Sequence, residues 1–463
     1  MKKIILFTCL VLYTFISWSQ TQKIITYFNR PVNNTVSSGI NAIYLNKLFD
    51  DTLIAYINRA KYTLDIVVYS FNETSSISSI FEAINNAYSR GVAIRWIYDG
   101  SSSNPSISTL NSNIHTLASP TSMQYGIMHN KFMIIDANSA NTSEPTVWTG
   151  STNWTSTQIN TDANNVIIIQ DKEVALAYTT EFNEMWGSTG IVPDSINSKF
   201  GPFKTDNTPH SFDVDGTIVE VYFSPTDGTN SKLQHAIASA NTDLYFGIYS
   251  FTVEADADTI VNRIEHNVYA AGIIDPTSQS YPPYASLSPV MGDNLIKDNI
   301  NGLYHNKMLI VDPSEPNSDP LVFTGSHNWS ASAETKNDEN TVIIHNATIA
   351  NIYYQSFYQN FTDEGGTLIN QSGIAPISIP PAIAVYPNPC NEFTSIKISD
   401  PSLFNKTKII MFDIIGKKMY PYISKNYNSF VIDTRQQPEG LYFLQINTFN
   451  TIEIKKLQVI KWN

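Results

Sequence analysis

The chain has 463 residues, of which 42% are hydrophobic and 15% charged, a length and composition that imply two or three globular units, each with its own core. The formal net charge of −13 is spread along the chain, and without a block of Lys and Arg there is no general track for nucleic acid. Any recognition of phosphate must therefore be local.

Met1-Lys2-Lys3, the apolar stretch Ile4 to Ile16 and the exit Ser17-Trp18-Ser19-Gln20 predict a secretion signal over residues 1–20, with a core too short to span a bilayer. No later run is long and uncharged enough for a transmembrane helix. The two cysteines are Cys9 and Cys390. Loss of Cys9 with the signal excludes an internal disulfide, and a lone, exposed-looking Cys390 in Pro-Asn-Pro-Cys excludes a cysteine zinc site or thiol nucleophile.

Next comes a repeat. Leu53, Ile57 and Ala60 share one face of a predicted helix, and Leu233, Ile237 and Ala240 repeat the pattern 180 positions on (233 − 53). Each helix leads into an almost continuously apolar strand, Leu64 to Phe71 and Leu244 to Phe251, as for strands covered on both faces. In the first copy Ile77, Ile80, Phe81 and Ile84 mark a second helix, and Val92, Ile94, Trp96 and Tyr98 alternate as a strand. The second copy has Ile260, Ile264 and Val268 on its helix, a short strand over Ala271 to Asp275, and a Pro- and Ser-rich loop. Alternating strands and helices predict an α/β unit, a mixed sheet with helices on its faces, present twice.

The repeats are expected over residues 21–195 and 212–364, joined by a linker at 196–211. A second breaker-rich linker at 365–383 precedes short β-like segments such as Ser395 to Ile398, Lys408 to Phe412 and Leu441 to Ile446, which predict a small all-β module over 384–463.

His129-Asn130-Lys131-Phe132-Met133-Ile134-Ile135-Asp136 and His305-Asn306-Lys307-Met308-Leu309-Ile310-Val311-Asp312 share one pattern, each followed by Gly-Ser-x-Asn: Gly150-Ser151-Thr152-Asn153 and Gly325-Ser326-His327-Asn328. On a strand, His and Lys at i and i+2 share a face, and Ser and Asn can join them across a hairpin. The set suits phosphodiester cleavage. An imidazole can attack phosphorus, lysine and asparagine can hold its oxygens, and a second imidazole can serve the departing oxygen. No metal or other cofactor is required, because lysine supplies the positive charge. The other histidines, His327 among them, read as surface or capping residues. Asp136 and Asp312 end their strands and read as holding the following turn through backbone N–H groups, with acid catalysis as the alternative.

These motifs resemble those of the phospholipase D superfamily over roughly residues 25–365. The resemblance implies a pseudo-two-fold pair of halves sharing one site, a covalent phosphohistidine and metal-independent turnover. It implies His129 as nucleophile, His305 as general acid and then base, and Lys131, Lys307, Asn153 and Asn328 around the phosphate. Between Asp and Gly both copies are longer than is usual in the family, each with a Ser-Glu-Pro, which reads as a longer hairpin tip. The family's acidic residue that orients a histidine falls at Glu339 in the second copy, where it is expected beside His305. In the first copy Asn164 or Ala163 stands in that place, with Asp162 nearby, which leaves His129 to Asp162 or to a weaker hold. Val385-Tyr386-Pro387-Asn388-Pro389, Phe412 to Lys417, Pro438 to Phe443 and Lys455 to Lys461 resemble the C-terminal sorting domain of type IX secretion substrates; the rival reading is a carbohydrate-binding or adhesive β-sandwich.

The expected fold is thus α/β, two phospholipase D-like halves plus a small C-terminal all-β sandwich. The expected protein is a secreted or surface phosphoric diester hydrolase of phospholipase D type acting on glycerophospholipid, exported by the type IX machinery. Tyr69, Tyr249, Trp154 and Trp329 are candidates to line the cleft. Nucleic acid is the alternative substrate, and a non-catalytic phosphate-binding or adhesive surface protein is the third reading.

Overall fold

The computed structural model describes residues 23–368, apart from 73–74, and most of 383–461. The predicted secretion signal and most of the second linker lie outside the described residues. The chain divides into two compact units, residues 1–370 and 371–463.

The first unit opens with β1 (Ile24–Phe28), β2 (Ile43–Tyr44), α1 (Phe49–Ile57), β3 (Thr63–Val68), α2 (Ser75–Ser89), β4 (Ala93–Tyr98), β5 (His115–Ala118), β6 (Lys131–Ile135), β7 (Thr146–Gly150), α3 (Ser156–Asn160), β8 (Asn165–Ile169) and α4 (Lys172–Trp186). It continues with β9 (Ser211–Val214), β10 (Thr217–Ser224), α5 (Thr229–Ala238), β11 (Asp243–Ile248), α6 (Glu254–Glu265), β12 (Tyr269–Ile274), α7 (Pro282–Met291), β13 (Leu295–Lys297), β14 (Lys307–Val311), β15 (Leu321–Gly325), α8 (Ala331–Thr335), β16 (Glu339–His345) and α9 (Ala347–Asp363).

Two eight-stranded sheets result, ordered β2-β1-β8-β7-β6-β3-β4-β5 and β13-β12-β11-β14-β15-β16-β10-β9. Seven strands of each follow the same order, and only the edge beyond β1 or β10 differs, with β2 parallel to β1 and β9 antiparallel to β10. Central β3 and β11 lie parallel to one neighbour and antiparallel to the other.

Helices α4 and α9 explain how two sheets become one body. Tyr178 and Phe182 of α4 and Tyr353 and Phe357 of α9 share a core with Phe132 and Ile167 of the first sheet and Met308 and Ile344 of the second. The outer face of the first sheet is covered by α1 and α2, and that of the second by α5, α6 and α7. Strands β3 and β11 are therefore buried on both faces and have no polar alternation. Side-chain caps start both central helices: Asp171 accepts from the N–H groups of Glu173 and Val174, and Asn346 from that of Ile349.

Three expectations change. The Pro- and Ser-rich loop after β12 contains α7, which has prolines in its first turn, where a missing N–H costs nothing; only Pro283, Leu287 and Met291 of it are buried, too sparse an apolar pattern to reveal a helix. Trp154 and Trp329, 3% and 0% exposed, belong to the outer cores rather than to a cleft. Cys390 is buried against Thr434 instead of exposed.

In the second unit β17 (Ile383–Tyr386), β18 (Phe393–Ile398), β19 (Lys408–Asp413), β20 (Lys418–Met419), β21 (Ile423–Lys425), β22 (Ser429–Asp433), β23 (Gly440–Asn447) and β24 (Ile452–Val459) form two four-stranded antiparallel sheets. Ile396 and Ile432 of one sheet and Met411, Leu444 and Leu457 of the other fill a single core, as in a sandwich.

Candidate active site

The two His-x-Lys segments enter β6 and β14 at corresponding ends of the two sheets. Each is fastened to the opposite half by backbone. The His129 N–H donates to the Asp338 carbonyl at 2.9 Å, and the Asp338 N–H donates to that of Ile127 at 3.0 Å. At the mirrored position the Ala163 N–H donates to the Leu303 carbonyl at 2.8 Å, and Ala163 bridges Tyr304. Each bridge delivers the next side chain of one half onto the imidazole of the other. Glu339 meets His129 Nδ1 at 2.8 Å, and the Oδ1 of Asn164 meets His305 Nδ1 at 3.0 Å.

This corrects the sequence expectation on both counts. Glu339 holds His129 rather than His305, and Asp162 holds no histidine, since its carboxylate accepts from the Leu303 N–H and from Gln158 Nε2. The partners exchange because the backbone bridges run between halves, a pairing with no mark in either copy alone.

The serines of Gly-Ser-x-Asn support the exchange. Ser151 donates to Asn164 at 2.8 Å and Ser326 donates to Glu339 at 2.6 Å. The preceding glycines are required: Gly150 and Gly325 have φ of 146° and 149°, and a Cβ there would lie 2.3 Å and 2.2 Å from the carbonyl oxygens of Asn165 and Asn340. The Asn164 amide is oriented by its own Nδ2, which donates to the Gln158 carbonyl at 2.9 Å. Its Oδ1 can then only accept, so His305 donates from Nδ1 and keeps its lone pair on Nε2. The Glu339 carboxylate fixes His129 in the same tautomer.

Lys131 and Lys307 donate to the carbonyls of His129 and His305 at 2.6 Å and 2.7 Å, within two residues of their own positions. Tyr69 lies 5.0 Å from the His129 ring and 5.3 Å from Lys131 Nζ; Tyr249 lies 5.1 Å from both the His305 ring and Lys307 Nζ. Asn153 and Asn328 each carry a buried amide oxygen without a protein partner. Each half thus contributes one imidazole, one ammonium, one amide and one aromatic wall.

Burial dominates the electrostatics. It brings His129 down to about 4 and Lys131 down to about 7, against opposing pull from Glu339. His305 is held well below the usual imidazole range by burial and then by Lys307, Lys131 and His129. Lys307 is likewise held well below the usual lysine range by burial and by Lys131. Burial pushes Glu339 up, but the charge and hydrogen bond of His129 and the charge of Lys131 outweigh it, so its carboxyl lies below the usual range. Burial thus disfavours the charged form of both imidazoles, and His129 alone has a carboxylate at its Nδ1 to oppose it.

Asp136 and Asp312 lie at the far ends of β6 and β14, about 17 Å along the strand from the lysines at 3.4 Å per residue. With φ of 52° and 48°, they accept from the N–H groups of Lys61, Tyr62 and Thr63 and of Asn241, Thr242 and Asp243. They hold the entry to the neighbouring central strand more than their own turn. His327, read as a surface residue, is 0% exposed, with Glu334 3.6 Å from its Nε2. Among the described residues one trio has metal-ligand geometry, Asp206, His210 and Asp227; it contains no motif residue, and Val221 and Phe223 already engage His210 and Asp227.

A duplicated α/β unit that pools one His, Lys and Asn from each half defines the PLD-like class. Residues 53–186 and 233–361 each match the family described as "Cardiolipin synthase, PLD-like domain", together more than half of the chain. The chain belongs to the phospholipase D superfamily. A mitochondrial cardiolipin hydrolase of Xenopus tropicalis is 31% identical over 139 residues, covering 29% of this chain and 59% of the relative. A phospholipase D of Rickettsia prowazekii is 25% identical over 181 residues, covering 38% of this chain and 84% of the relative. Phosphatidylserine synthase from Haemophilus influenzae shares the fold, with a TM-score of 0.50 at 12% identity, covering 70% of this chain and 88% of that one. Residues 384–461 match a secretion system C-terminal sorting domain, which marks the chain for export to the cell surface or the medium.

Proposed function

We propose that the chain is an exported phosphodiesterase that hydrolyses glycerophospholipids through a phosphohistidine. The observation that carries this reading is the pair of imidazoles, each with Nδ1 tied across the pseudo-dyad and each acted on by both lysines. His129 is the nucleophile, because the Glu339 carboxylate balances the positive charge its ring acquires on bonding to phosphorus. Lys131, Lys307, Asn153 and Asn328 hold the phosphate oxygens, and His305 serves the departing oxygen and then takes the proton of the attacking water. The names of the relatives, cardiolipin hydrolase and phospholipase D, support a lipid substrate. The net charge of −13 disfavours a polyanion.

The test is incubation of the purified protein, in excess chelator, with phosphatidylcholine, phosphatidylethanolamine, cardiolipin and plasmid DNA. Head-group release from a lipid is expected. Cleavage of DNA alone would make the protein a nuclease, and turnover of nothing would leave a phosphate-binding protein. The roles are separated by His305→Asn, which should accumulate acid-labile label on His129 from a p-nitrophenyl ester, and His129→Asn, which should accumulate none.

A further inference from the structure

We propose that Asn164, by giving His305 an amide in place of a carboxylate, makes this enzyme favour phosphodiesters whose leaving group departs with little protonation, such as aryl esters, and turn over the alkyl head groups of glycerophospholipids more slowly. The inference rests on the phosphohistidine reading above. The two histidines have matching surroundings except at this point. Each has a serine-supported partner on Nδ1 from the other half, but His129 faces an anion and His305 a neutral amide fixed by Ser151 and the Gln158 carbonyl.

The difference acts on one protonation state. To donate from Nε2, His305 must first be an imidazolium, and a buried imidazolium needs a counter-charge. The charged and titratable groups facing it are Lys307, Lys131 and His129, with the Tyr249 ring alongside; only a hydrogen bond to the Ser151 backbone favours the charged ring, and it brings no counter-charge. Glu339, Asp162 and Asp275 act on Lys307, and Asp275 and Asp162 on Tyr249, but Glu339 is tied to His129 and the Asp162 carboxylate is occupied by Leu303 and Gln158. The same cost falls on His305 when it takes a proton from water, so the amide weakens it as acid and as base alike. In the first step the Nε2–P bond forms at His129, the bond from phosphorus to the leaving oxygen breaks, and that oxygen keeps the electron pair. In the second, the oxygen of water bonds to phosphorus, its proton passes to His305 Nε2, and the P–N bond breaks with its electrons returning to His129. The shortage of counter-charge shows in the first step, where the leaving oxygen must carry its electron pair with little help from His305.

The experiment compares kcat/KM, which reports the bond-breaking step, for phosphatidyl esters of 4-nitrophenol, phenol and choline. For the native protein a fall of about 10²-fold or more from the nitrophenyl to the choline ester is expected, the usual span of general acid catalysis. Asn164→Asp should narrow that ratio at least about tenfold and move the alkaline limb of choline-ester turnover to higher pH. Asn164→Leu removes the hydrogen bond without adding charge and should lower all three rates with the ratio unchanged. A native protein that turns over all three esters at similar kcat/KM overturns the proposal while leaving the phosphohistidine reading intact, and needs no variant to fold. An unchanged ratio in folded Asn164→Asp overturns it equally. Turnover of none of the esters would instead overturn the function reading itself.

Discussion

At the His129 imidazole, the carboxylate of Glu339 does two things that an amide does only in part: it fixes the Nδ1–H tautomer and stabilises positive charge on the ring. Glu339→Gln keeps a hydrogen-bond acceptor and loses the charge. It should lower kcat for the nitrophenyl ester by about 10²-fold with little change in KM, since second partners of reactive imidazoles contribute on that scale; an equal loss through KM alone would argue against a role in the chemical step. Lys131 supplies the pH dependence. Burial brings it down to about 7, so its charged form persists below that value and is lost above it. Binding of vanadate, measured by inhibition, should weaken as pH rises through about 7. The residues of both motifs were legible because their spacing repeats; their partners were not, since Glu339 and Asn164 reach their histidines only through bridges to the other half.

At the scale of elements, the connector between the halves is a plug rather than a tether. Lys204, on the segment leading into β9, is fully buried and pairs with Glu181 of α4 at 2.5 Å and with Asp338 beside Glu339 at 3.2 Å, while donating to the Ser224 carbonyl. Lys204→Met leaves two buried carboxylates without their cation and should cost about 3–5 kcal/mol in urea unfolding. Burial already raises Glu181 to about 7 and Asp338 to about 6. Removing the ammonium raises both further, so the variant's folded state binds more protons than the unfolded chain; its deficit should be smaller at pH 5 than at pH 8. The Ser-, Asn- and Pro-rich composition of residues 193–211 announced a linker and concealed this anchor, because one buried lysine carries no pattern. Strands β3 and β11 were legible for the opposite reason, their apolar runs being a direct consequence of helices on both faces.

At the scale of the whole molecule, catalysis and export are expected to separate. Leu368 is packed into the core shared by the two halves, so the first unit extends to residue 370, past the composition break at Gly365. A chain ending at Asn370 should retain ester turnover in a purified assay. It should fail to reach the surface or medium of a host that uses the matching secretion system, where the sorting domain is read. Cell fractionation checks this, and normal delivery of the shortened chain would remove that role from residues 384–461.

The exchange of partners across the halves also bears on ancestry. In a symmetric dimer of identical copies, a change from carboxylate to amide at this position would strip the counter-charge from both histidines at once, including the one that attacks. After duplication and fusion the same change touches one histidine and spares the other. Asn164 is therefore a substitution open to two copies joined in one chain and closed to a symmetric dimer of identical copies: within one chain each imidazole can be tuned separately, and the first half then limits the chemistry of the second.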